Sequence, residues 1–201
     1  MNELRVTLAI LAGGRGERMG KAKGLLRVGD QPILSYLLQR FEWQGPTMLV
    51  SSPGREHPPG AELFTREVID PAEGMGPLRG LLTALENATT SMVIMTSVDL
   101  PLVQKEQLTW LVEMLQGQPW KLGFMLEQPK YFRPFPSIFA IGAREPIAAH
   151  FERGERSLSS LLRLGVVPIE APAHWPDEVW TNLNEPADLA SFQKLTSFRI
   201  H

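Results

Sequence analysis

The 201-residue chain contains no cysteine, which excludes a disulfide framework and any thiolate metal site. Long apolar runs are missing as well: no stretch approaches the roughly 20 apolar residues needed to span a bilayer. The opening Met1-Asn2-Glu3-Leu4-Arg5 carries neither an apolar leader segment nor a small-residue cleavage pattern. Net charge is almost absent, at −2, where a general nucleic-acid binder shows a basic patch and a high pI. These absences predict a cytoplasmic chain with no membrane and no nucleic-acid partner, and any polyanion it binds is expected to be small. Histidine is sparse; His57, His150, His174 and His201 are scattered over loops, a helix and the terminus, and none is assigned to catalysis. Length and ordinary apolar content suit one domain over residues 1–201.

What is present alternates along the chain. Val6 to Leu11, Thr47 to Val50, Ser91 to Thr96 and Lys121 to Leu126 are short apolar or β-prone runs, the pattern of buried strands. Between them, Pro32 to Trp43 sets Ile33, Tyr36, Leu37, Leu38 and Phe41 at helical spacing. Leu78 to Asn87 follows a proline suited to a helix start, and Val103 to Gln116 carries Leu108, Leu111, Val112 and Leu115. The alternation predicts an α/β fold, a mostly parallel sheet with helices layered on it. Pro53, Pro58, Pro59 and Gly60 mark a surface loop; Pro129, Pro134 and Pro136 mark another before Ile138 to Ile141.

The first strand runs directly into Leu11-Ala12-Gly13-Gly14-Arg15-Gly16-Glu17-Arg18-Met19-Gly20, followed by Lys21 and Lys23. Glycines here let backbone N–H groups approach a flat base or a phosphate oxygen, and Arg18 and Lys23 add charge for an anion. The stretch is neither Walker A nor the Rossmann fingerprint. A tight strand-to-helix turn would use the same glycines. Ser51, Asp70 and Asp99 also fall just after predicted strands, where ligands of open α/β sheets bind. Asp70-Pro71 and Asp99-Leu100-Pro101 equally suit plain turns. Asp99, at the end of an apolar strand, is the better metal candidate. Magnesium needs one carboxylate when phosphate oxygens and waters complete its shell.

Taken whole, Leu-Ala-Gly-Gly-x-x-x-Arg-Met-Gly-x-x-Lys resembles the signature of nucleotidyltransferases that release pyrophosphate, most closely the molybdenum cofactor guanylyltransferases. Four further blocks resemble that family in the same order. They are Asp70 with Gly76-Pro77-Leu78-Arg79-Gly80; Ser97-Val98-Asp99-Leu100-Pro101; Gly154-Glu155-Arg156-Ser157; and Thr181-Asn182-Leu183-Asn184-Glu185-Pro186-Ala187-Asp188-Leu189. The resemblance covers nearly the whole chain. It implies a three-layer αβα, Rossmann-like sheet of the nucleotide-diphospho-sugar transferase type. It further implies transfer of GMP from GTP to molybdopterin with magnesium, and a molybdoenzyme or its chaperone as recipient.

By the same resemblance, Leu11, Ala12 and Gly13 meet the nucleoside through the backbone, with Asp70 beside it, and Gly14 helps to offset the triphosphate charge. Arg18 and Lys23 neutralise the triphosphate, and Asp99 holds magnesium. Ser51 stands where the family has a variable polar residue. Asn182 and Asn184 match an asparagine pair near the acceptor, although a turn into an N-capped helix at Glu185-Pro186 uses the same residues. A second glycine in Leu-Ala-Gly-Gly, where related cytidylyltransferases have alanine, favours GTP over CTP. Two departures stand out: Ala22 precedes the loop lysine where many relatives have Asp, and Phe135-Pro136-Ser137 replaces a His-Pro type pair. A CTP- or sugar-phosphate-using transferase and a catalytically weak binding or delivery protein therefore stay open.

Overall fold

The computed structural model describes residues 6–13, 22–128 and 131–201. Five helices and nine strands occur among them: β1 (Val6–Leu11), β2 (Arg27–Val28), β3 (Gln31–Pro32), α1 (Ile33–Phe41), β4 (Thr47–Ser51), β5 (Arg66–Ile69), α2 (Pro77–Asn87), β6 (Met92–Ser97), α3 (Lys105–Gly117), β7 (Gly123–Gln128), β8 (Tyr131–Ala140), α4 (Arg144–Glu152), β9 (Val167–Glu170) and α5 (Pro186–Thr196). The main sheet has the order β5-β4-β1-β6-β8-β7-β9, while β2 and β3 form a separate small ribbon.

The β5, β4, β1 and β6 strands run parallel in sequence across the sheet. Strand β8 is antiparallel to both neighbours, and β7 pairs parallel with β9. A mostly parallel sheet is thus observed, with one reversed strand. Alternating side chains in β1 divide the interior: Leu8 and Ile10 join a core with α1, α3 and Phe192 of α5, whereas Ala9 joins a second core with α2 and Ile147 of α4. Two helical layers therefore sandwich the sheet, which is the three-layer αβα arrangement expected. No helix among the described residues is long and apolar enough to cross a membrane.

The predicted proline-rich loop before Ile138 needs correction, because Pro134 and Pro136 lie inside β8. Proline lacks the N–H that a ladder needs, yet β8 meets β6 through residues 137–140, and its pairing with β7 shifts register between Met125 and Glu127. This stretch of β8 therefore tolerates proline as an edge or bulge does. Among the histidines, His150 is buried and bonded to Ser160 Oγ at 2.8 Å, a packing role.

Candidate active site

Chain ends of the parallel strands open onto one cavity of about 600 Å³. Leu11, Gly13, Lys23, Asp70, Asp99, Asn182 and Asn184 line it, so residues from four of the five sequence blocks converge there, and the Gly154–Ser157 block does not reach it. Gly14 and Arg18 lie outside the described residues, as does Lys21. Ala12 does not line the cavity, and its N–H is engaged by the Val50 carbonyl at 2.9 Å. Ser51 turns away: its hydroxyl donates to Glu67 Oε1 at 2.8 Å. The next residue, Ser52, lines the cavity instead and donates to the Gly13 carbonyl at 3.2 Å. A Cβ on Gly13 would lie 2.4 Å from Ser52 Oγ, so glycine permits that contact. Likewise, α2 approaches β1 closely because Gly80 has no side chain to meet Leu11.

Lys23 occupies the centre of charge. Its Nζ donates to Asp99 Oδ2 at 2.9 Å and to Asn184 Oδ1 at 2.6 Å, joining residues 76 and 161 positions away. The Lys23 and Asp99 side chains are only 12% and 18% exposed, so solvent screens the ion pair weakly. Backbone bonds hold the partners in place. Val98 N–H donates to the Leu11 carbonyl, and Leu183 N–H donates to the Asp99 carbonyl at 2.9 Å. Asp188 Oδ2 accepts from the N–H groups of both Asn184 and Glu185 at 2.7 Å, completing a capping box on α5. The asparagine segment is therefore both a capped helix start and a wall of the cavity. Among the described residues Asn182 Oδ1 is buried there without a hydrogen-bond partner, an acceptor available to a ligand N–H.

Asp70 belongs to a second network that the sequence motifs did not reveal. Thr83 Oγ1 donates to Asp70 Oδ1 at 2.6 Å and accepts from Arg79 Nε at 3.1 Å, while Arg79 also bonds Glu86. Burial pushes the Asp70 carboxyl above its ordinary value, opposed by the Thr83 hydrogen bond and the Arg79 charge and reinforced by Glu86. The i, i+4 spacing of Arg79 and Thr83 on α2 was the available signal. Arg55 and Glu73 also line the cavity and form an ion pair at 3.1 Å; nothing in their loop sequences announced it.

Carboxylate oxygen on the wall of a cavity of this size suits magnesium carried by phosphates. Asp99 presents a carboxylate to the cavity, and among the described residues no cluster of three acidic or histidine side chains marks a metal cage. Magnesium bound chiefly through substrate phosphates asks for no more protein ligands than that.

A family model described as the MobA-like NTP transferase domain matches residues 8–174. The molybdenum cofactor guanylyltransferase of Pseudomonas entomophila (strain L48) is 30% identical over 184 residues, spanning 90% of this chain and 94% of that protein. That of Yersinia pseudotuberculosis serotype O:1b (strain IP 31758) is 27% identical over 185 residues, 91% and 92% of the two chains. Among solved structures, the molybdopterin-guanine dinucleotide biosynthesis protein A of Archaeoglobus fulgidus superposes with a TM-score of 0.77 at 20% identity, covering 95% of this chain and 98% of that one. CMP:2-keto-3-deoxy-manno-octonic acid synthetase gives a TM-score of 0.75 at 13% identity over 96% and 98% of the chains, a likeness of fold.

Proposed function

This chain belongs to the MobA-like NTP transferase family, and from that premise we propose that it transfers GMP from GTP to molybdopterin, releasing pyrophosphate. The observation that carries the reading is the junction of Lys23 with Asp99 and Asn184 at the cavity, where three separated blocks meet within hydrogen-bond distance. In the reaction an oxygen of the acceptor's terminal phosphate attacks the α-phosphorus of GTP. A new P–O bond forms as the bond to the β-phosphate bridge breaks, and the electron pair leaves with pyrophosphate. No protein nucleophile and no obligatory protein proton transfer is needed, so positioning and charge neutralisation supply the catalysis.

Each residue then has a task. The cavity backbone at Gly13 and the Asp70 carboxylate hold the nucleoside, with Leu11 beneath it. Lys23, joined by Arg18 from the glycine loop, neutralises phosphate charge. Asp99 would hold magnesium, which when bound offsets phosphate charge and fixes the triphosphate conformation. Asn182 and Asn184 face the acceptor side, where amides bond both phosphate and pterin edges. The orphaned Asn182 Oδ1 favours a ligand bearing N–H donors there. Such a reaction fits the cytoplasm expected from the cysteine-free sequence, with a molybdoenzyme or its chaperone receiving the product.

The test is a pyrophosphate-release assay with GTP or CTP, magnesium, and molybdopterin or a sugar phosphate as acceptor. Release that requires both GTP and molybdopterin is the expected result. Release with CTP or a sugar phosphate instead identifies a different transferase, and binding of GTP without release identifies a delivery protein.

A further inference from the structure

Strand order gives the cavity a direction. Across the sheet, the ends of β6, β1, β4 and β5 follow one another, and they present Asp99, Gly13, then Ser52 and Arg55, then Asp70 and Glu73. Pro134 and Phe135 of β8 lie on the other side of β6. A nucleotide whose phosphates reach Lys23 and Asp99 therefore carries its base toward β4 and β5, leaving the β8 side to the acceptor. At that base end Arg55 and Glu73 meet from different loops, Nη2 to Oε1 at 3.1 Å. Among the described residues Arg55 Nε is buried and has no hydrogen-bond partner, an unmet donor that a ligand acceptor would satisfy.

We propose that Arg55, positioned by Glu73, selects the guanine base by donating to its O6 and N7 edge. The inference rests on the GTP reading above and deepens it. A guanidinium is all donor, in a rigid fork that fits two neighbouring acceptors. Guanine presents O6 and N7 side by side, whereas adenine and cytosine place an amino donor where O6 would be. Donor would then face donor, and the wrong base leaves the arginine unpaired. The nearby carboxylates of Asp70 and Glu73 suit the complementary N1–H and N2–H₂ donors of guanine.

The test measures dissociation constants for GTP, ITP, 7-deaza-GTP and CTP by calorimetry with magnesium, on the full chain and its Arg55→Met, Arg55→Lys and Glu73→Gln variants. Arg55→Met is expected to weaken GTP and ITP alike by about 10- to 100-fold, the worth of a bidentate arginine contact. CTP binding stays within about twofold, which also reports an intact fold. For 7-deaza-GTP, which lacks N7, the loss is smaller. Arg55→Lys keeps the charge but not the fork and remains at least about fivefold weaker for GTP. Glu73→Gln narrows the GTP-to-CTP ratio by less than Arg55→Met. Equal weakening of GTP and CTP by Arg55→Met overturns the proposal in favour of a phosphate contact, and unchanged GTP affinity overturns it in favour of a surface ion pair. A parent chain that prefers CTP refutes the guanosine reading and this inference together. Selective GTP binding that depends on Arg55 in a protein that never releases pyrophosphate supports this inference while refuting the transfer reaction.

Discussion

Lys23→Met removes the ammonium at the centre of the site while keeping a side chain of similar length. Two contacts disappear, at 2.9 Å to Asp99 Oδ2 and 2.6 Å to Asn184 Oδ1. The pair lies between two regimes. Fully exposed pairs contribute about 0–1 kcal/mol, and breaking a buried pair costs about 3–5 kcal/mol. With side chains 12% and 18% exposed at a cavity rim, the expected loss of stability is about 1–2 kcal/mol. For a chain of this size that lowers Tm by roughly 2–8 °C. Catalysis suffers more, because the same charge faces the triphosphate where negative charge shifts onto the departing pyrophosphate. Removal of one such stabilising group costs about 10²- to 10³-fold in rate. Thermal denaturation and steady-state pyrophosphate release on the same preparation separate the two effects. A variant that melts several degrees lower yet keeps its rate within about threefold, far short of the loss of a transition-state contact, refutes the catalytic assignment and leaves Lys23 a structural tie between Asp99 and Asn184.

Three other perturbations probe neighbouring parts of the site. Asp99→Asn replaces a charged ligand with a weaker neutral oxygen donor, so pyrophosphate release should fall by about 10²-fold or more at millimolar magnesium; full activity removes Asp99 from the mechanism. Thr83→Val leaves Asp70 Oδ1 and Arg79 Nε without their shared partner, at a cost of about 1–3 kcal/mol, which denaturant unfolding measures; Thr83→Ser should recover most of it. Asp70 has a raised pKa, chiefly from burial, so the folded protein binds its proton more tightly than the unfolded chain does. Its contribution to stability is therefore present below the unfolded pKa and is lost as pH rises through the folded one. Asp70→Asn should accordingly melt higher than the parent near pH 7, with the gain shrinking toward pH 4, while GTP binding weakens. An advantage that persists unchanged at low pH contradicts the burial argument.

Much of the scaffold was legible because β1, β4 and β6 are buried and parallel, so they appear as apolar runs. Helices α1 to α3 were legible because each buries a stripe of several large apolar residues. Strand β5 was implied only by the position of Asp70 and had no range of its own, since Arg66-Glu67-Val68-Ile69 at the sheet edge buries Val68 alone. Helix α5 has Phe192 as its one buried residue, too little for a periodic signal. Ser51 and Ser52 show the limit at the site. Successive side chains in extended backbone face opposite ways, so a one-residue ambiguity decides whether a hydroxyl meets Glu67 or the cavity. The motifs located Lys23, Asp99 and Asn184 separately, but a direct bond across 161 positions depends on how Asp188 and the Asp99 carbonyl seat the last segment. Sequence spacing carries no such information.

Guanylyl transfer requires attack at the α-phosphorus of GTP and molybdopterin as the group that receives it. GTP labelled at its α-phosphate, incubated with the full chain, magnesium and molybdopterin, tests this directly. The label is expected to enter a molybdopterin–guanine dinucleotide in step with release of unlabelled pyrophosphate, and labelled CTP to transfer far more slowly. Label recovered as free GMP or GDP with molybdopterin unchanged, or faster transfer from CTP, would contradict it.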